Sequence, residues 1–142
     1  MIPRYTRPEM AAIWSDENRF RIWLEIEILA CEAMAKAGHI PPRDMAQIRR
    51  RAAFDVKRIA EIEATTNHDV IAFLTNVAEH VGPAARHIHR GLTSSDILDT
   101  ALAVQMVQAA DLLIRDVRAV RTAAARQARR YKFTPMIGRT HG

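Results

Sequence analysis

An all-α fold is predicted by three observations. Ala, Leu, Glu, Arg and Met, which favour helix, dominate the chain. Alternating apolar and polar runs of strand type are short, and aromatic residues make up only 6% of the sequence. Apolar residues also recur at steps of three and four, most regularly from Leu102 to Ala124.

Read in order, Pro3 and Pro8 bracket an extended arm that carries Arg4 and Tyr5. Ser15, followed by Asp16 and Glu17, is an N-cap candidate for a first helix over 15–36, which Gly38 then stops. Phe20, Trp23, Leu24, Ile26, Ile28 and Leu29 spread over most of its circumference, so burial between other elements is expected. Pro41-Pro42 opens the next helix, and two shorter helices are expected over 42–53 and 55–63. Thr65-Thr66-Asn67-His68-Asp69 is polar and turn-like, and 70–81 reads as a helix broken by Gly82-Pro83. A brief helical stretch through His87 ends at Arg90-Gly91. Thr93 with Asp96 three residues on is a capping-box start. From there a helical pattern runs to about Tyr131 without Gly or Pro.

That last helix is too long for its surroundings. Leu102, Met106, Ala109, Leu113, Val117, Val120 and Ala124 form a packing seam. Some thirty residues rising 1.5 Å each give about 50 Å of helix. A compact chain of this size has a radius of gyration of only about 14–15 Å. The seam therefore calls for a partner helix from more chain or from another subunit. The final stretch 134–142 leaves the helix without closing structure, so the chain reads as the N-terminal piece of a longer protein.

The 142 residues suffice for one core, and 49% hydrophobic with 26% charged residues is ordinary for a globular chain. No uncharged apolar run is long enough to span a bilayer, and the opening MIPRYTRPEM is not a secretory signal. One cysteine, Cys31, cannot form an internal disulfide, which points to a reducing, cytoplasmic setting. Net charge is +5, but residues 112–142 alone hold eight Lys/Arg against Asp116. That basic segment could face phosphate backbones, a partner subunit or further chain.

Three polar clusters could carry chemistry, each in a loop beside a helix end. In Asn67-His68-Asp69 an imidazole beside a carboxylate can act as general acid or base, although plain helix capping by Asn67 or Asp69 would also explain it. In His89-Arg90-Gly91-Leu92-Thr93-Ser94 hydroxyls and free backbone N–H groups at a helix start form an anion site, with capping again the alternative. In Gly138-Arg139-Thr140-His141-Gly142 glycines flank a cation, a hydroxyl and an imidazole, as close approach to a ligand requires; a frayed polar tail is the alternative. His87 and His89, two residues apart, are poorly placed for a shared metal. Walker, dinucleotide-glycine, CxxC and HExxH patterns are absent from the sequence.

Taken together, the Arg4-Tyr5 arm, TRPEM, WSDENRF, NHDV, HRGLTSSDILDTA and GRTHG resemble the adenylosuccinate lyase family of the fumarase/aspartase superfamily, in order and over the whole chain. Many members carry Arg where Asn67 stands and Tyr where Arg90 stands. The resemblance implies an N-terminal helical domain over 1–92 and, over 93–142, the truncated start of a central helical bundle. It implies β-elimination of fumarate from adenylosuccinate and from SAICAR, with no metal or organic cofactor. His141 would be the general acid and His68 its catalytic neighbour. Thr93 and Ser94 would hold a succinyl carboxylate, and Arg4, Tyr5, Asn67, Asp69 and His89 the nucleotide side. The general base, a serine on a mobile loop, would lie beyond Gly142, so this chain alone should be inactive. The family assembles as homotetramers with sites built from three subunits, which implies a nucleotide substrate and self-association, without nucleic acid or membrane. Carboxymuconate-type cycloisomerases and other lyases of the superfamily share related motifs, and a non-catalytic oligomerisation module is the alternative outside enzymes.

Overall fold

The structure, a computed structural model, describes residues 2–141. Among the described residues it is all-helical, with six α-helices, two 3₁₀ turns and no strand. α2 (Asp16–Lys36) begins where the Ser15 hydroxyl accepts the Asn18 N–H at 3.2 Å, as its N-cap pattern predicts. α3 (Pro42–Arg51) starts with proline in its first turn, where no N–H is needed. α4 (Val56–Thr66) is capped by Asp55, whose carboxylate accepts the Arg58 N–H at 2.9 Å. α5 (Asp69–Val81) follows directly, and Gly82 at φ +76° turns the chain into a 3₁₀ stretch over Gly82–His87. α6 (Ser94–Arg130) is the 37-residue helix expected from the seam.

The N-terminal arm departs from expectation. Residues read as extended are wound into a 3₁₀ turn at Pro3–Tyr5 and a short helix, α1 (Pro8–Ile13). Pro8 presets the first helical φ, and tertiary ion pairs supply the remaining order. Arg7 pairs with Asp116, and Glu9 accepts from Arg115 at 2.5 Å, so α1 is tied to α6 across more than a hundred residues of sequence.

The core is built where α2, α4 and α5 converge. Trp23 and Phe73 are essentially buried, their rings edge-on at 5.4 Å, and Phe20 stacks on Phe73 at 5.8 Å. Such pairs add about 0.5–1.5 kcal/mol beyond the area they bury. Ile48 of α3, Ile59 of α4 and Ile97 of α6 close the cluster. α2 is buried along one stripe rather than all round. Phe20, Ile22, Trp23, Glu27 and Cys31 face inward, whereas Leu29 remains 55% exposed, because nothing among the described residues packs on that side.

α6 lies on α2 through Ile97, Ala101, Gln105 and Ala109, spaced four apart. Gln105 donates to the Ile13 carbonyl at 2.7 Å, and Asn18 bonds Gln108 at 2.9 Å. Beyond Ala109, among the described residues, only the N-terminal arm and α1 reach the helix, through Arg7 and Glu9 to Asp116 and Arg115. Of the predicted seam only Ala109 is buried; Leu102, Met106, Leu113, Val117 and Val120 are exposed. α6 also contains one stretch long and apolar enough, by length and composition, to cross a membrane. A search for uncharged runs passes over it because single charges such as Asp99 and Asp111 interrupt it.

Candidate functional site

The NHD cluster sits at the junction of α4 and α5. Asn67 is the left-handed C-cap of α4 at φ +51°, a conformation asparagine tolerates better than most residues. The residue that caps α5 is His68, in place of the Asn67 or Asp69 that the capping alternative names. Its Nδ1 accepts the Ile71 N–H at 3.4 Å and lies 3.5 Å from Asp69 Oδ1. An accepting Nδ1 leaves the proton of the neutral ring on Nε2. The His68 side chain is about half exposed.

The second cluster forms the turn between the 3₁₀ stretch and α6. His89 has φ +64°, unusual for a residue with a side chain. Two bonds from one buried carboxylate hold it there. Glu27, only 1% exposed, accepts the His89 backbone N–H at 2.9 Å and lies 2.6 Å from its ring Nδ1. At the start of α6 the Asp96 carboxylate accepts the Thr93 N–H at 2.8 Å. The Ser94 and Ser95 N–H groups have no protein acceptor among the described residues, so the helix start keeps open donors for an anion.

The remaining predicted residues lie apart. The Arg4 guanidinium sits over the Tyr5 ring at 4.8 Å, and both side chains are exposed. A cleft of about 280 Å³ between the arm and α6 is lined by Tyr5, Arg7, Met10, Leu112 and Asp116, and no histidine reaches it. His141 lies in the extended stretch after α6, its ring 3.3 Å from the Thr140 hydroxyl. Among the described residues no hydrogen bond or ion pair joins the His68, His89 and His141 clusters. No group of three or more His, Cys, Asp or Glu forms a metal cage among them either.

Sequence reasoning missed Glu27 and Asp44. Asp44 accepts from Arg86 at 2.5 Å and lies 2.9 Å from Nε2 of the buried His87, which anchors the turn from its other side. Both carboxylates sit within helices, and their partners are more than forty residues away in sequence. The one local signal was a glutamate amid apolar residues, Glu27 within LEIEILA. Cys31, one turn further along α2, has its Sγ 3.7 Å from the His87 carbonyl. Burial, with the Glu27 charge beside it, pushes that thiol up to about 11 and leaves it a poor nucleophile at neutral pH.

This all-helical scaffold, with polar loops at the helix ends, matches two solved enzyme structures. It superposes on a fumarate lyase from Mesorhizobium sp. BNC1 with TM-score 0.84 and 30% identity, over 93% of this chain and 32% of that one. It superposes on the 3-carboxy-cis,cis-muconate lactonizing enzyme from Pseudomonas putida with TM-score 0.85 and 31% identity, over 96% and 33%. The Lyase family profile matches residues 3–142, and the chain belongs to that family. It is 51% identical over all 142 residues to the adenylosuccinate lyases of Bacillus subtilis and Synechocystis sp., and 49% identical to that of Staphylococcus saprophyticus. The chain spans about a third (33%) of the length of these relatives.

Proposed function

We propose that this chain is the N-terminal part of an adenylosuccinate lyase, which eliminates fumarate from adenylosuccinate to leave AMP and from SAICAR to leave AICAR. The observation that carries this reading is the 51% identity to two adenylosuccinate lyases over all 142 residues of the chain.

The elimination needs a base at the succinyl β-carbon, donors for the carboxylate on which charge builds, and an acid for the leaving nitrogen. His141 is the acid, and His68, whose accepting Nδ1 leaves the neutral ring's proton on Nε2, supports protonation or binding beside it. Thr93 and Ser94 hold a succinyl carboxylate; the open N–H groups at the start of α6 suit that role. Arg4 grips the nucleotide end, where a guanidinium can bond phosphate oxygens in two places, and Tyr5 stiffens it by stacking. Asn67, Asp69 and His89 complete that wall. The base is a serine beyond residue 142, so these residues alone turn over no substrate. Residues 1–92 are the N-terminal domain, and 93–142 begin the central bundle of a cytoplasmic homotetramer. The exposed seam of α6 supports that division.

Adenylosuccinate cleavage by this chain and by the full-length gene product tests the reading. Fumarate release by the longer protein only is the expected result, and His141→Ala in it should lower kcat by about 10²–10⁴-fold. Turnover by the 142 residues alone would overturn the mechanism. The likeness to the P. putida lactonizing enzyme favours a second reading, a cycloisomerase. A full-length product that acts on 3-carboxy-cis,cis-muconate and ignores adenylosuccinate would establish it.

A further inference from the structure

We propose that Glu27 is the positioning residue for His89: it clamps both backbone and ring of this one residue, so that Nε2 is held out toward the nucleotide end of the substrate. The assignment rests on the functional reading above, in which His89 lines the nucleotide wall.

Three observations carry it. The first is geometric. Glu27 Oε2 takes the His89 backbone N–H at 2.9 Å, and Oε1 lies 2.6 Å from ring Nδ1, so one carboxylate fixes the peptide and the imidazole together. With both ends of the residue held, the ring is fixed, and Nε2 is the ring nitrogen that has no protein partner among the described residues. The His89 side chain keeps 19% of its surface exposed while the Glu27 carboxylate is 1% exposed, so the histidine, not the glutamate, is the member of the pair that a ligand can reach.

The second is conformational. His89 sits at φ +64°, where a side chain costs energy unless surrounding bonds enforce it. The enforcing bonds come from α2, sixty-two residues away in sequence. Cys31, four residues after Glu27 and on the same face, adds a contact from its Sγ to the His87 carbonyl at 3.7 Å. On the other side Asp44 holds Arg86 and His87. The turn is thus pinned on both sides of the one residue whose ring tip stays free.

The third is chemical. Burying a carboxylate is costly, and a neutral glutamine could have tied down a merely structural turn. A carboxylate differs in demanding a proton on Nδ1. When the ring is protonated, it then presents Nε2–H to an anion with its own charge balanced from behind, as second-layer carboxylates do for ligand-binding histidines. His68 is arranged the opposite way: its Nδ1 accepts a backbone N–H, and Nε2 keeps the neutral ring's proton. The two histidines are therefore prepared for different tasks.

The test uses the full-length gene product and steady-state cleavage of adenylosuccinate. Glu27→Gln keeps the shape but offers one acceptor for two donors, so the ring turns or changes tautomer. KM should rise about tenfold with kcat little changed, the pattern of a lost binding contact made equally in ground and transition states. In a His89→Ala background the same substitution should leave KM where His89→Ala alone puts it, which a role in folding alone would not produce. Glu27→Asp, which keeps the charge, should recover part of the loss. An unchanged KM in Glu27→Gln, or an equal further rise in the His89→Ala background, overturns the assignment. Should Glu27→Gln not fold, a crystal structure of the wild-type protein with AMP decides. Nε2 of His89 must lie within hydrogen-bond reach of an AMP oxygen while Nδ1 stays on Glu27; a ring turned away from either refutes the proposal. Wild-type activity keeps the two readings apart. An active wild type with an indifferent Glu27→Gln variant removes only this assignment, whereas a wild type inactive on adenylosuccinate removes the functional reading itself.

Discussion

Cys31 lies 1% exposed on α2, and its thiol is held up to about 11 from 9.0, first by burial and then by the Glu27 charge. Its apolar neighbours in the sequence agree with that burial, and Glu27, the charge beside it, stands four residues earlier. Their shared orientation toward the 87–89 turn was not legible there, because that turn is more than fifty residues distant. Two outcomes follow. Iodoacetamide at pH 8 should leave Cys31 unmodified until denaturant is added, as mass spectrometry would show. The pH dependence has a definite sign: between about 9 and about 11 the folded thiol keeps its proton while the unfolded one loses it. The unfolded chain then binds fewer protons, so this contribution to stability is complete below about 9 and is lost as pH rises through that window. Denaturant midpoints measured from pH 8 to 11 should fall more steeply for wild type than for Cys31→Ala. Parallel curves would show that the thiol keeps no such hold on its proton.

Most helices were legible because local signals sufficed. Ser15, Pro42, Gly82 and the Thr93–Asp96 pair each mark a boundary by chemistry that acts within four residues. α1 was not legible, since six residues form a helix only once Arg7 and Glu9 find Asp116 and Arg115. The α4–α5 pair has a polar joint that was equally hidden. Asn76, 1% exposed, accepts the Asp55 N–H at 2.8 Å and donates to Glu79 at 3.2 Å. Asn76→Ala should therefore cost about 1–3 kcal/mol in a chemical denaturation, because the Asp55 donor and N-cap lose their partner. On the surface of the same pair Arg58 bonds Glu79 with both Nε and a terminal nitrogen. That bond and the one from Asn76 lower the Glu79 carboxyl from its ordinary value. A lowered carboxyl contributes stability above the unfolded value, near 4.5, and loses it as pH falls through the folded one. Glu79→Gln should accordingly flatten the acid limb of the stability profile. The change should be small, since the pair is solvated.

At the scale of the whole chain, each polar cluster was readable from its own residues, but only the resemblance groups the three into one candidate site. His68, His89 and His141 occupy three separate loops with no bond between them among the described residues, so spacing alone could not have grouped them. The seam of α6 was readable in advance for the opposite reason, since helix geometry places Leu102, Met106, Leu113, Val117 and Val120 in line whatever surrounds them. All five are exposed, together with Val104, Val107 and Ile114. Soluble chains rarely leave so continuous an apolar face uncovered, because each buried Å² is worth about 25 cal/mol. The 142-residue chain on its own should therefore self-associate at tens of micromolar, with sedimentation velocity showing species that grow with concentration. Leu113→Glu combined with Val117→Glu should return it to a monomer with an unchanged helical circular-dichroism signal, since neither side chain is buried in the domain. The same α6 stretch could cross a membrane by composition, which makes vesicle flotation the necessary companion measurement. Partition of the wild-type chain into neutral lipid vesicles would mean that lipid covers the seam. A wild-type chain that stays monomeric and out of the vesicles would mean that water does, and the seam would no longer support a bundle.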